Sequence, residues 1–352
     1  MTVRKRLEAA VAGNPIEHPV LAVYDWFIRN RPIDWPWLFE QGLGQINHAC
    51  LLDYEYKNAE IVESTREQDG QIRRDVRWIT DRGELHEWYL GEWRQEYLIK
   101  TAEDYGILTR ALSDTRFTLN QNDFLHSEQM VGEGGITIGQ LGTRALENRN
   151  AMQAVQIDAA GLERFSVDLA LQQPELLELL ELMDDRTVEK FRCVLPAEAT
   201  HIKLWENLSI ETMGPKHFCE RLVPVYRKIF ALLDGSGKRL QVHYDGKLQA
   251  IAGEISGLPF DGLDSFTGPP EGDLSPAEAR ELWPDLFLWF HPNLGWYALP
   301  EAQLEQRIAA ALHDLGPRRY CLLISEEVAP QWRRGIPRIL EILSRLDTFD
   351  SR

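Results

Sequence analysis

From about residue 200 onward, short apolar runs alternate with helical stretches, and this alternation constrains the fold more than any other feature. Strand-like runs fall at 200–204, 239–243, 263–266, 286–290 and 320–324. Helical patterns stand between and after them, at 218–233, 248–256, 275–282, 301–315 and 337–346. The stops are strong. Asp234-Gly235-Ser236-Gly237 closes one helix, and Ser275 followed by Pro276 opens another as N-cap and first helical residue. Two of the strands, Leu286-Phe287-Leu288-Trp289-Phe290 and Cys321-Leu322-Leu323-Ile324, are continuously apolar, as strands buried on both faces must be. Strands alternating with helices of this length imply βα units on a parallel sheet. No GxGxxG turn and no phosphate-binding loop accompanies them, and Gly132-Glu133-Gly134-Gly135 has no helical pattern directly behind it. The expected fold is therefore an α/β chain forming a (β/α)8 TIM barrel rather than a dinucleotide-binding sheet. A length of 352 residues suits one such barrel with additions, so residues 1–352 are read as a single domain.

The first 130 residues differ in character and are read as an N-terminal elaboration together with the first barrel units, ahead of regular βα units over 131–352. Six tryptophans fall there: Trp26, Trp35, Trp37, Trp78, Trp88 and Trp93. Two β-like stretches, 59–65 and 72–80, flank Gln68-Asp69-Gly70, and Asp-Gly between mixed runs predicts a β-hairpin over the barrel mouth. A helix is expected from Pro174 to about residue 183.

A net charge of −17 argues against nucleic acid as a partner, because phosphate binding needs clustered Lys and Arg. No run of 18 apolar residues exists to span a membrane, and the N-terminus lacks the apolar core of a secretion signal. Cys50, Cys193, Cys219 and Cys321 have no paired spacing. They read as reduced thiols, and the expected location is the cytoplasm.

Chemistry in such a barrel sits just past the C-terminal ends of its strands. Those positions carry Trp205-Glu206-Asn207, His243-Tyr244-Asp245-Gly246, Thr267-Gly268-Pro269-Pro270, His291-Pro292-Asn293 and Ser325-Glu326-Glu327. Polar or ionisable residues thus recur at one topological place in five successive units. The carboxylates Glu206, Asp245, Glu326 and Glu327 with the imidazoles His243 and His291 suit either divalent-metal binding or acid–base work.

These residues also carry a family likeness. His201-Ile-Lys-Leu-Trp-Glu-Asn-Leu-Ser, then Gly214-Pro215-Lys216-His217-Phe218 and Leu222-Val-Pro224, resembles the uroporphyrinogen decarboxylase and cobalamin-dependent methyltransferase superfamily. Leu240-Gln-Val-His243-Tyr-Asp245-Gly246 is similar to the family strand ending in His-x-Cys-Gly, and Gly262-Leu-Asp264-Ser-Phe266 to the strand that follows it. Glu326-Glu-Val-Ala-Pro330 stands at the family's Cys-Gly-x-x-Pro position. Upstream, Thr80-Asp-Arg-Gly83-Glu-Leu85, Glu103-Asp104 and Pro174-Glu175-Leu-Leu resemble turns and helix starts of the methyltransferase-like branch.

The departures bear on function. Where the decarboxylases carry an Arg-Gln-Ala-Gly-Arg motif, this chain runs Tyr24-Asp25-Trp26-Phe27-Ile28-Arg29-Asn30-Arg31. The methyltransferases hold zinc with His, Cys and Cys. The resemblance places His243, Asp245 and Glu326 at those three positions, which is a harder donor set. Two readings stand: a metal, zinc by analogy, held through oxygen ligands, or no metal and an acid–base role for Asp245. The resemblance implies a methyltransferase subunit acting on a small methylated substrate, with cobalamin supplied by a corrinoid partner protein, since the chain lacks the Asp-x-His-x-x-Gly cobalamin signature. It also implies pairing into a homodimer. A decarboxylase or other lyase and a non-catalytic ligand-binding subunit are the alternatives. On this reading His243, Asp245, Glu206 and Asn207 are the candidate catalytic residues. Trp205, Tyr244, Thr267, His291, Asn293 and Glu327 are the candidate substrate contacts.

Overall fold

The computed structural model describes residues 1–29, 31–324 and 331–346. Among the described residues fourteen strands follow one another. They are β1 (Leu21–Tyr24), β2 (Gly44–Cys50), β3 (Leu52–Glu55), β4 (Glu60–Gln68), β5 (Gln71–Thr80), β6 (Gly83–Leu90) and β7 (Trp93–Glu96). Then come β8 (Arg116–Leu119), β9 (Gly135–Gln140), β10 (His201–Ser209), β11 (Arg239–Asp245), β12 (Gly262–Phe266), β13 (Phe287–Phe290) and β14 (Tyr320–Leu323). Eight of them close a barrel in the order β1-β14-β13-β12-β11-β10-β9-β2. Every neighbouring pair in it is parallel. The (β/α)8 barrel expected from the alternation is the observed fold.

The continuous apolar strands behave as parallel-sheet physics requires. All four residues of β13 and all four of β14 are buried, between the barrel interior and the outer helices. The helix Glu301–Leu315 begins and ends where its pattern does. The helix Pro276–Leu282 carries the expected cap: Ser275 Oγ accepts from Glu278 N at 3.2 Å, and the Glu278 carboxylate accepts from Ser275 N at 2.8 Å.

Three segments differ most from the expected bounds. The helix opening at Pro174 continues to Val194, because its apolar stripe continues through Phe191 and Val194. The segment 248–256 is a short 3-10 turn, Gln249–Ile251, followed by a helix of one and a half turns, Ala252–Ser256. Strand β10 does not stop at Leu204 but continues to Ser209, with a register shift between Leu204 and Leu208 and a positive φ of 43° at Asn207.

The N-terminal third supplies both barrel and elaboration. Strands β1 and β2 belong to the barrel, whereas β4, β5, β6 and β7 form a four-stranded antiparallel sheet. The predicted hairpin is its β4–β5 pair, with Gln68 opposite Gln71 and both turn residues at positive φ, 51° at Asp69 and 75° at Gly70. The second turn, Asp81-Arg82, adds β6, so the elaboration is larger than one hairpin. No helix among the described residues is long and apolar enough to cross a membrane.

Candidate active site

Three barrel strands, and the segment just past a fourth, point ionisable side chains at one buried carboxylate, Asp264 on β12. Tyr24 at the end of β1 donates its hydroxyl to Asp264 Oδ1 at 2.6 Å. Lys203 on β10 donates from Nζ to Oδ2 at 2.9 Å, and His243 on β11 donates from Nδ1 to the same oxygen at 2.7 Å. His291, just past β13, brings Nε2 to 3.9 Å from Oδ1, beyond hydrogen-bond distance. Lys203 and Asp264 are both fully excluded from solvent. Burial alone would raise the Asp264 pKa, but the Lys203 and His243 cations overcome it and hold the group ionised, well below the usual carboxylate range.

The cluster continues in both directions. On one side His243 Nε2 lies 3.1 Å from Asp245 Oδ1, and Ser265 Oγ donates to the same oxygen at 2.9 Å. Burial pushes His243 toward neutrality, yet Asp245 and Asp264 outweigh it and lift its pKa to about 10. The imidazolium is thus the resting form at neutral pH. Asp245 has 39 % of its side chain exposed, so this arm reaches the mouth. On the other side Lys203 Nζ lies 3.1 Å from His48 Nε2 on β2, and His48 Nδ1 lies 3.2 Å from Asp25 Oδ1 just past β1. Burial, with the Lys203 charge beside it, brings His48 down to about 4.

An aromatic collar surrounds these charges. Tyr24 stacks on Trp26 at 4.2 Å between ring centroids, and Trp26 meets Trp205 edge-on at 4.9 Å. Trp205 stands 5.2 Å from the His243 ring and 4.2 Å from Lys203 Nζ. Its indole is fixed by a 3.1 Å hydrogen bond from Nε1 to Gln140 Oε1. A cation facing aromatic rings in a dry setting is stabilised by their π density.

Of the residues expected from the strand ends, the structure brings His243, Asp245, His291 and Trp205 together. Glu206 alternates to the outer side of β10. It accepts from Asn150 N at 2.9 Å, Asn150 Nδ2 at 2.7 Å and Tyr226 OH at 2.8 Å, a node that ties the barrel to its surrounding helices. Burial raises its pKa against those three donors. Tyr244 also points outward, onto Phe218 and Phe260. Asn207 is exposed and accepts from Arg149 Nη1 at 2.6 Å. Thr267 is half-buried beyond β12, and Asn293 is buried with Nδ2 donating to Gly268 O at 2.8 Å. Glu326 and Glu327 lie outside the described residues.

Lys203, Asp264, Tyr24, Asp25 and His48 belong to the cluster without having been singled out by strand-end position. The available signal was an ionisable residue inside an apolar strand, as in Ile202-Lys203-Leu204 and Leu263-Asp264-Ser265. Such a residue either spoils the strand or faces a polar interior.

The proposed zinc ligands are only partly placed. His243 Nδ1 is oriented by a carboxylate, as in many metal sites, leaving Nε2 and Asp245 Oδ1 as two adjacent donors. Among the described residues no group of three His, Cys, Asp or Glu side chains is disposed to hold a metal ion. His243 and Asp245 bond to each other, and the third expected ligand, Glu326, lies outside the described residues.

Neither a protein-family model nor a curated protein matches the chain by sequence. Among solved structures, a methyltransferase from Methanosarcina mazei is similar over 98 % of this chain and 98 % of its own, with a TM-score of 0.56 and 13 % identity. A structure described as a vitamin-B12-independent methionine synthase from Listeria monocytogenes is similar over 65 % of this chain and 70 % of its own, with a TM-score of 0.36 and 13 % identity. At such identity the first likeness establishes the shared barrel fold, and the second is too distant to carry an argument.

Proposed function

We propose that this chain is a methyltransferase subunit that moves a methyl group between a small methylated substrate and a cobalamin carried by a separate protein. The observation that carries the reading is His243, clamped as an imidazolium between Asp264 and Asp245 beside the barrel mouth. Removing a methyl group from oxygen, nitrogen or sulfur leaves charge on that heteroatom, and a positioned acid stabilises it. The whole-length likeness to the Methanosarcina mazei methyltransferase supports the same reading.

The corrinoid, when docked, supplies a cobalt centre that accepts or returns the methyl group. The residues of this chain do the rest. Asp264 fixes the His243 ring through Nδ1 and so aims Nε2 toward the mouth side, where Asp245 now accepts from it. A substrate heteroatom that takes the place of Asp245 receives the Nε2 proton as its bond to the methyl carbon weakens. Trp205, 5.2 Å from the His243 ring, walls one side of the position.

The test is a panel of O-, N- and S-methylated compounds incubated with the protein and cob(I)alamin, watched by absorbance. Formation of methylcobalamin with at least one donor is expected. No transfer with any donor, in either direction, contradicts the proposal.

A further inference from the structure

The methyl-transfer reading uses the His243 arm of the cluster and leaves the Lys203 arm without a task. Asp264 accepts from His243 at 2.7 Å and Tyr24 at 2.6 Å as well as from Lys203, so Lys203 is one of three groups that hold it. Yet Lys203 is held with unusual care. Its Nζ donates to His48 Nε2 at 3.1 Å, and His48 Nδ1 donates to Asp25 Oδ1 at 3.2 Å. Nucleophile, base and base-orienting carboxylate stand in hydrogen-bonded sequence, which is the arrangement that activates a side-chain nucleophile. The Asp25 contact sets the tautomer, with the proton on Nδ1 and the lone pair on Nε2 facing the amine.

We propose that Lys203 is a carbonyl-capturing amine, with His48 as its base and Asp25 as the positioning residue, and that it condenses with a small aldehyde or ketone to form a Schiff base. The Lys203 ammonium first passes a proton to His48 Nε2. The neutral Nζ attacks the carbonyl carbon, forming the N–C bond while the C=O π pair moves to oxygen. His48 returns its proton to that oxygen, then takes one from Nζ. It gives this proton to the departing hydroxyl, which leaves as water. Ammonium and carbonyl become iminium and water, His48 ends neutral, and no oxidant or reductant is consumed.

The surroundings favour the product for the same reason they hold the ammonium. The reaction begins and ends with the positive charge on Nζ, where Asp264 Oδ2 lies at 2.9 Å, the Trp205 ring at 4.2 Å and the Tyr24 ring at 4.9 Å. Burial lowers the Lys203 pKa against the pull of Asp264, which makes loss of its proton less costly than in a solvated lysine. Nearby negative charge on Asp264 and Asp25 disfavours an anionic substrate, so a neutral carbonyl compound is the class expected. The half-buried Trp205 ring lies 4.2 Å from Lys203 Nζ and Lys203 itself is fully buried, so only a small molecule that displaces part of this packing reaches the amine.

The experiment uses the intact protein, propanal as the probe, and cyanoborohydride to reduce any iminium to a stable secondary amine, followed by peptide mapping. The exposed Lys5 and Lys216 serve as internal references. Lys203 is expected to acquire the propyl group about tenfold or more faster than either. His48→Ala is expected to slow Lys203 labelling about a hundredfold while the reference lysines label as before. Asp25→Glu should retain most of the rate. Asp25→Asn should lose it, because an amide can donate to Nδ1 and turn the His48 tautomer around. Labelling of Lys203 no faster than the references in the unmodified protein overturns the proposal, as does an unchanged rate in a folded His48→Ala variant. Should that variant not fold, the map of the unmodified protein decides alone. The assay contains no corrinoid, so its outcome is independent of the methyl-transfer reading.

Discussion

Asp264 receives donors from three different strands, and its energetics are unequal in a way that mutation can expose. Asp264→Ala leaves Lys203 buried with its charge uncompensated, a loss of about 3–5 kcal/mol. Lys203→Met leaves Asp264 still bonded to Tyr24 and His243, so a smaller loss of about 1–3 kcal/mol is expected. Urea unfolding of the two variants measures this order, and equal losses would show that Lys203 and Asp264 are simply a pair. A second residue prediction concerns pH. His201, at the far end of β10 from the mouth, is held down to about 4 by burial and by Arg239. The unfolded chain takes up that proton first, near 6.5, so the stability His201 contributes is present above about 6.5 and lost as pH falls toward 4. His201→Gln should therefore lose less Tm than the parent between pH 7 and about pH 4.5. A parallel fall in both proteins would contradict the assignment. At this scale the sequence was readable where a residue's place followed from strand ends alone, as for His243, Asp245 and His291. Lys203 and Asp264 were not, because only barrel closure decides which face of a mid-strand position is interior.

Elements were most legible where local chemistry and tertiary packing agree. Ser275 and Pro276 mark a helix start in the sequence, and the structure shows the full reciprocal cap. Ser275→Ala should cost about 1 kcal/mol, seen as a lower urea midpoint with an unchanged slope. A slope change would mean that the helix Pro276–Leu282 unfolds apart from the barrel. The Asp69-Gly70 turn is the same kind of case, with two residues suited to positive φ placed at the tip of β4–β5. Legibility failed where an element is set by its neighbours. Strand β10 continues beyond Leu204 because β11 pairs with Leu208 and Ser209 across a register shift, and nothing in Trp205-Glu206-Asn207 signals a strand. Glu206 was for that reason read as a strand-end residue, while alternation turns it toward Asn150 and Tyr226. Strand β2 was equally hidden. Its Gln45, Asn47 and His48 make it too polar for a buried strand, and the polar barrel interior is what accommodates His48.

For the molecule as a whole, the alternation of short apolar strands with helices was sufficient for the architecture. A right-handed succession of βα units closes naturally into eight parallel strands, and the barrel gathers side chains distant in sequence at one mouth. Function followed less directly, since similar barrels host unrelated chemistries and the residues decide. The central claim is that the barrel presents His243 as an acid to a methylated substrate. It is tested most directly by methyl transfer to cob(I)alamin, measured side by side for the unmodified protein and for His243→Gln. The account predicts transfer by the former and a loss of about a hundredfold or more in the latter, with the fold retained. Transfer at an unchanged rate in a folded His243→Gln protein would contradict it.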